Sequence, residues 1–172
     1  MSKMGIKNTA INSLAYTGIV TLSQYIGQKK VVLSKMHNAG GKPLFNFLAS
    51  CLLGDFAVAS PNRPCKIMLL QEDNSDGIKV ISKAANTDFI YLLSKPEQVY
   101  SENNESIVKY SFIIPQDYFT GTSFNAIGLY ADSATKADIE DYAAIVSNVN
   151  FDAINVSISS VLVLDWELHI SN

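Results

Sequence analysis

Residues that carry chemistry are scarce in this chain. Among 172 residues there are two cysteines and two histidines. His37 and His169 lie far apart in the chain, and with Cys51 and Cys65 they form none of the spacings that hold a metal. Two cysteines are no disulfide framework either, and both read as free, buried, small hydrophobes. Charged side chains make up 17% of the chain, below the usual ~25%. Such a sparse surface is commoner in proteins that live against partners. The basic residues are scattered, the densest spot being Lys29-Lys30, and the net charge is −3. That argues against nucleic acid, which selects a clustered basic face. Long hydrophobic runs are also missing. IMLL at 67–70 and VLVL at 161–164 fall far short of the ~20 residues of a membrane span. The opening MSKMGIKNTA lacks the apolar core of a signal peptide, so the expectation is synthesis and folding in the cytoplasm. On that reading the glycosylation patterns at Asn104-Glu105-Ser106 and Asn155-Val156-Ser157 are chance matches.

What is present is apolar and strand-like. Hydrophobic residues reach 48%, and a chain of this length buries roughly 70% of its unfolded surface. AYTGIVTLSQYIG, rich in Tyr, Thr, Ile and Val, predicts a strand. KKVVLSKM at 29–36 predicts a second, joined to the first by a hairpin around Gly27-Gln28. CKIMLLQE at 65–72, SIVKYSFIIP at 106–115 and FNAIGLYA at 124–131 predict further strands, with weaker ones near 78–83 and 88–94. Residues 60–64 and 95–105 read as loops, and 74–77 as a turn. The segment 133–150 reads as a short turn or one-turn helix followed by a strand. In VLVLDWELHI, Leu162, Leu164, Trp166, Leu168 and Ile170 share one face, opposite Val161, Val163, Asp165, Glu167 and His169.

One helix stands out in HNAGGKPLFNFLASCLLGD. Pro43 suits a first helical position. Leu44, Leu48, Cys51 and Leu52 follow helical spacing, Phe45, Phe47 and Leu53 widen the apolar face, and Gly54 marks the stop. A helix this apolar is expected to be buried. The pattern therefore predicts a mainly β chain: a flexible arm at 1–13, then one β-sandwich or jelly-roll-like domain at 14–172 carrying one buried α-helix at about 43–53.

The same stretch brings His37, Cys51 and Asp55 close in sequence. A cysteine nucleophile needs a basic or helix-N-terminal setting. Cys51 instead sits towards a helix C-terminus, which disfavours a thiolate. From Pro43 to Cys51 the helix spans about 12 Å at ~1.5 Å per residue, which separates Cys51 from His37. Asp165 and Glu167 share a strand face at a spacing compatible with glycosidase carboxylates, but such pairs are ordinary solvent-facing strand residues. Asp73-Asn74-Ser75-Asp76-Gly77 begins like a calcium loop and lacks its closing Glu. Gly40-Gly41 belongs to no phosphate-binding motif and reads as a tight reversal. Tyr91, Tyr100, Tyr118 and Tyr130 are candidates for stacking on sugar. No catalytic, cofactor-binding or metal residue is assigned, no cofactor is expected, and the chain is read as not an enzyme.

The order of LAYTGIVTLS, HNAGGKPLFNFLASCLLGD, RPCKIMLL, FNAIGLY and the terminal LVLDWELHIS resembles structural proteins of tailed bacteriophages. The resemblance implies a virion component made in the host cytoplasm. It would be an adaptor or ring subunit in the tail, baseplate or fibre-attachment region, assembling as a ring or trimer and docking other virion proteins. A head-side decoration or head-fibre protein is the variant of that reading. A carbohydrate-binding β-sandwich for host surface glycan is the alternative outside it.

Overall fold

A computed structural model describes residues 15–38, 40–74, 79–84, 87–100, 105–152 and 160–171. The expected N-terminal arm lies outside them, as do most of the 74–77 turn, Asn104 of the first glycosylation pattern and the whole of the second. β1 (Ala15–Ile26) and β2 (Lys29–Asn38) form the expected hairpin around Gly27-Gln28. The C-terminal strand β10 (Val161–Ser171) pairs antiparallel with β1 along almost its whole length. On its other side β10 pairs with β7 (Ser106–Ile114), and β7 pairs with β6 (Glu97–Tyr100). The first sheet therefore runs β2-β1-β10-β7-β6. β6 falls in a segment the sequence assigns to a loop. Its letters are polar because it is a short edge strand, where one side of the backbone stays in solvent.

The second sheet is built on β3 (Pro64–Asp73), β8 (Ala126–Ala131) and β9 (Ile145–Asn150). β4 (Val80–Lys83) and the two-residue β5 (Ile90–Tyr91) pair with different parts of β3. The two antiparallel sheets pack face to face as a sandwich.

Register explains the core. Met36, Val20, Trp166 and Tyr110 form one row across the first sheet, and Leu22, Leu164 and Phe112 form another. All of these side chains are buried. They meet Ile67 and Leu69 of β3 and Ile127 and Leu129 of β8 in one cluster. The second sheet is also covered on its outer face. There Met68, Leu70, Ala126 and Tyr130 are packed by Ile139 and Tyr142, carried by the segment between β8 and β9, and by Ile145 at the start of β9. That segment contains a 3-10 turn at Lys136–Asp138, capped by Thr135, so the expected turn followed by a strand is borne out. Burial on both faces is why CKIMLL and AIGLYA do not alternate. It also buries Tyr130, one of the tyrosines read as a sugar platform, with its hydroxyl donating to the Ile139 carbonyl at 2.7 Å.

Helix α1 (Lys42–Leu52) matches the expected boundaries closely. Its start is docked on β9, where the Gly41 amide donates to the Val146 carbonyl at 2.7 Å and Gly40 bridges to Ser147. A Cβ on Gly41 would lie 2.6 Å from the Ile145 carbonyl oxygen, and Gly41 has an ordinary negative φ of −82°. The glycine serves close approach of two backbones, not the tight reversal expected. The end of α1 is a Schellman motif: the Asp55 amide donates to the Ser50 carbonyl at 3.0 Å and the Gly54 amide to the Cys51 carbonyl at 3.1 Å. Gly54 takes the left-handed φ of +71° this requires.

The expected burial of this helix needs correction. Leu44 is its one buried residue, and Phe47 and Leu48 are partly buried against the core. Phe45, Ala49, Cys51 and Leu52 are exposed. The helix closes the sandwich with one stripe and leaves a second apolar stripe in solvent. A second helix, α2 (Phe56–Asn62), follows at once where the sequence predicts a loop around 60–64. Pro61 and Asn62 read as loop formers, yet Pro61 lies within this two-turn helix, where the chain is ending its run of α hydrogen bonds. A one-turn helix α3 (Gln116–Phe119) follows β7.

Candidate functional site

The structure separates the reactive letters of residues 37–55. His37 is exposed on the edge strand β2. Cys51 is exposed on α1, correcting the expectation that it is buried. Asp55 is the N-cap of α2, its carboxylate accepting from the Val58 amide at 3.2 Å. The Asp is structural, and no described contact joins the three.

Asp165 and Glu167 lie on the outer face of the first sheet, and Asp165 is not the solvent-facing carboxylate expected. It is buried, accepts from the Ser111 hydroxyl at 2.7 Å, and pairs with Lys30 at 3.1 Å and Lys109 at 3.3 Å. Burial pushes its carboxyl up. The Ser111 hydroxyl and the two ammonium groups outweigh that and hold it below the ordinary carboxylate value. A carboxylate locked in its charged form by two cations is a strut, not a general acid. Glu167 contacts His169 at 3.2 Å, and Glu105 reaches the other ring nitrogen of His169 at 3.2 Å. The fold thus brings both histidines to the same outer face, on strands separated by β1, and among the described residues no group of three or more His, Cys, Asp or Glu side chains is placed to hold a metal.

Cys65 is buried, and its thiol donates to Asp132 Oδ1 at 3.3 Å. Burial and the Asp132 carboxylate push it up to about 11, against the opposing pull of Lys66 and Arg63. It is protonated and unreactive at neutral pH.

Two surfaces stand out. The first is the corner between α1 and α2. Phe45, Ala49 and Leu52 repeat at i, i+4 and i+7, a stripe distinct from Leu44, Phe47 and Leu48. Leu52 is 82% exposed, Leu53 84% and Phe56 72%. Asp55 both completes the Schellman motif of α1 and caps α2, so the turn that presents these side chains is fixed by hydrogen bonds. Helical spacing puts Leu52 with Leu44 and Leu48 on one face widened by Phe45; what it does not reveal is that only part of that face packs against the sandwich.

The second surface is a pair of clefts that share Tyr91. One, of about 530 Å³, is lined by Arg63, Asp132, Lys95, Phe47 and Tyr110 as well as Tyr91. The other, of about 360 Å³, is lined by Lys66, Asp88, Tyr118, Thr135 and Lys136 as well as Tyr91. The sequence singles out Tyr91 and Tyr118, and the structure brings them to one cleft. The side chain of Tyr100 lies outside the described residues. The cations around these clefts come from three separate segments, Arg63 and Lys66 around the start of β3, Lys95 and Lys136, so no sequence signal gathers them.

No helix among the described residues is long and apolar enough to cross a membrane. Comparison with known protein families, with curated proteins and with solved structures returned no match.

Proposed function

We propose that the protein is a self-associating structural subunit, and that a second copy of the chain covers the α1–α2 corner. The exposed apolar corner is the observation that carries the reading. Phe45, Leu52, Leu53, Phe56 and Val58 together expose apolar surface on the order of 500 Å², at the upper end of the ~300–600 Å² of a monomer's largest patch, a size that is often functional, and more than half of the ~800 Å² that each partner contributes to a stable interface. The corner is nearly uncharged, with Lys42 at one end of α1 and Asp55 used as a cap. A surface without charge gives no electrostatic handle to a basic or acidic partner and suits a copy of itself. Its rigidity lowers the entropy lost on association.

The setting we propose is a bacteriophage virion, as an adaptor or ring subunit of the tail, baseplate or fibre-attachment region. That setting rests on the sequence resemblance, with the strand-rich fold and the scattering of the reactive residues compatible with it. Solution mass tests the association. The wild-type chain should sediment as a trimer or larger ring, and Leu52→Ser/Leu53→Ser/Phe56→Ser should sediment as a monomer with unchanged circular dichroism. A wild-type monomer at high micromolar concentration overturns the reading. Mass spectrometry of purified phage particles tests the setting, and absence of the chain from particles made by a phage that encodes it removes that part.

A further inference from the structure

The paired clefts around Tyr91 have the build of a ligand platform. Tyr91 is 61% exposed while its neighbour Ile90 is buried. The backbone that carries it is tied to both sheets. Residues 90–91 pair with β3, the Leu92 amide donates to the Cys65 carbonyl at 3.0 Å, and the Leu93 amide donates to the Ser111 carbonyl of β7 at 3.0 Å. The ring is therefore held out from a rigid scaffold, not from a mobile loop tip. Lys66 lies nearby, buried, its ammonium 5.8 Å from the Tyr91 ring centre and 4.5 Å from that of Phe89. It donates to the Asp132 and Ala134 carbonyls, which fix its position.

The clefts carry an excess of positive charge. The clefts are lined by Arg63, Lys95, Lys66 and Lys136 against Asp132 and Asp88. Four cations against two carboxylates leave two positive charges in excess, in a chain whose net charge is −3. Arg63 pairs with Asp132 at 3.3 Å and Lys136 with Asp88 at 2.7 Å, both in exposed positions. Lys95 makes no ion pair with a described residue. The arrangement is an exposed aromatic ring with a cleft on either side, each rimmed by hydrogen-bonding groups and by more positive than negative charge.

We infer that this surface binds an acidic saccharide, one sugar ring stacking on Tyr91 and its carboxylate meeting Lys95 in the larger cleft. A pyranose offers an apolar C–H face to an aromatic ring and hydroxyls to its sides, which matches an amphipathic ring flanked by polar groups. The shallow, open, polar-rimmed form suits a chain ligand that lies across both clefts. A single-stranded nucleic acid also stacks and carries negative charge, but it selects a longer basic track than three or four cations provide.

The probe is a printed array of uronate-containing, sialylated and neutral oligosaccharides, followed by calorimetric titration of the best acidic member and of an oligo-dT of equal length. Wild-type protein should bind acidic members, weaken in higher salt, and prefer them to neutral analogues. Tyr91→Ala should reduce affinity at least tenfold, Tyr91→Phe should retain it, and Lys95→Glu should reduce it several-fold for acidic members. Melting temperatures should be unchanged in all three. Leu53→Ser should bind as wild type, which separates this site from the α1–α2 corner whatever that corner does. Absence of any acidic binder, equal binding of neutral analogues, preference for oligo-dT, or binding indifferent to Tyr91→Ala overturns the inference.

Discussion

Strand β3 and the α1–α2 corner are written in nearly the same letters and meet opposite fates. In β3 all seven residues from Pro64 to Leu70 are buried. In the corner, every residue from Cys51 to Val58 is exposed, four of them large hydrophobics. Both are poor in charge. The difference lies in what covers them. β3 has the first sheet on one face and the β8–β9 segment on the other, whereas α1 has the end of the sandwich on one stripe, and its second stripe meets only the edge-to-face contact of Phe45 with Tyr16 among the ring contacts of the described residues, leaving Phe45, Ala49 and Leu52 exposed. Apolar content measures the demand for a covering layer; the described residues supply that layer in one place and not in the other, which is why the corner reads as an interface.

The sharpest way to break this comparison is to truncate adjacent residues of β3. Leu69 and Leu70 point to opposite faces, so in a half-covered strand only one would matter. Leu69→Ala and Leu70→Ala should each cost ~2–5 kcal/mol in urea unfolding, as should Leu44→Ala on the buried stripe of α1, while Leu53→Ser should stay within about 0.5 kcal/mol measured as a monomer. A cost for Leu53→Ser matching that of Leu44→Ala would mean the corner belongs to the core.

A smaller effect is expected at Asp165. Its replacement by Asn keeps the shape and removes the charge-assisted bonds from Ser111, Lys30 and Lys109, costing about 1–3 kcal/mol at neutral pH. The carboxyl titrates below its unfolded value when folded. Its contribution is therefore complete above the unfolded value near ~3.9 and is lost as pH falls through the folded one. Wild-type stability should fall more steeply with acid below about pH 4 than that of Asp165→Asn, and identical acid limbs would show that the strut carries no weight.

The smallest perturbation is chemical labelling. One of the two thiols, Cys51, should react with a thiol probe in the native protein, and Cys65 only on unfolding. In the assembled state Cys51 should be protected if the second copy covers the corner, so its labelling rate should fall with protein concentration. Rapid labelling of Cys65 in the folded chain would contradict its buried hydrogen bond to Asp132.

Much of the architecture was legible from periodicity. β1, β2, β3, β7, β8, β10 and α1 fall close to where alternation and helical spacing place them, because each carries enough residues for the period to show. The misses have local causes. β6 is short and at an edge, so its letters stay polar. α2 spans only two turns and includes Pro61, which reads as a breaker. Asp165 alternates with buried residues and so reads as solvent-facing; the row Thr21, Asp165, Ser111 and the reach of Lys30 and Lys109 become visible only once β1, β10 and β7 are aligned. Tyr91 was among the candidate platforms, but its clefts gather the Arg63–Lys66 stretch, Lys95 and Lys136 from three places far apart in the chain.

The sequence by itself determined the class of fold and the position of its one long helix, because strand and helix periods are local properties of the backbone. It also determined that reactive side chains are few. Only the tertiary structure decided which apolar faces are covered and which charges meet, because both depend on strand order and on the path of the segment between β8 and β9, which bring together residues that no local pattern links.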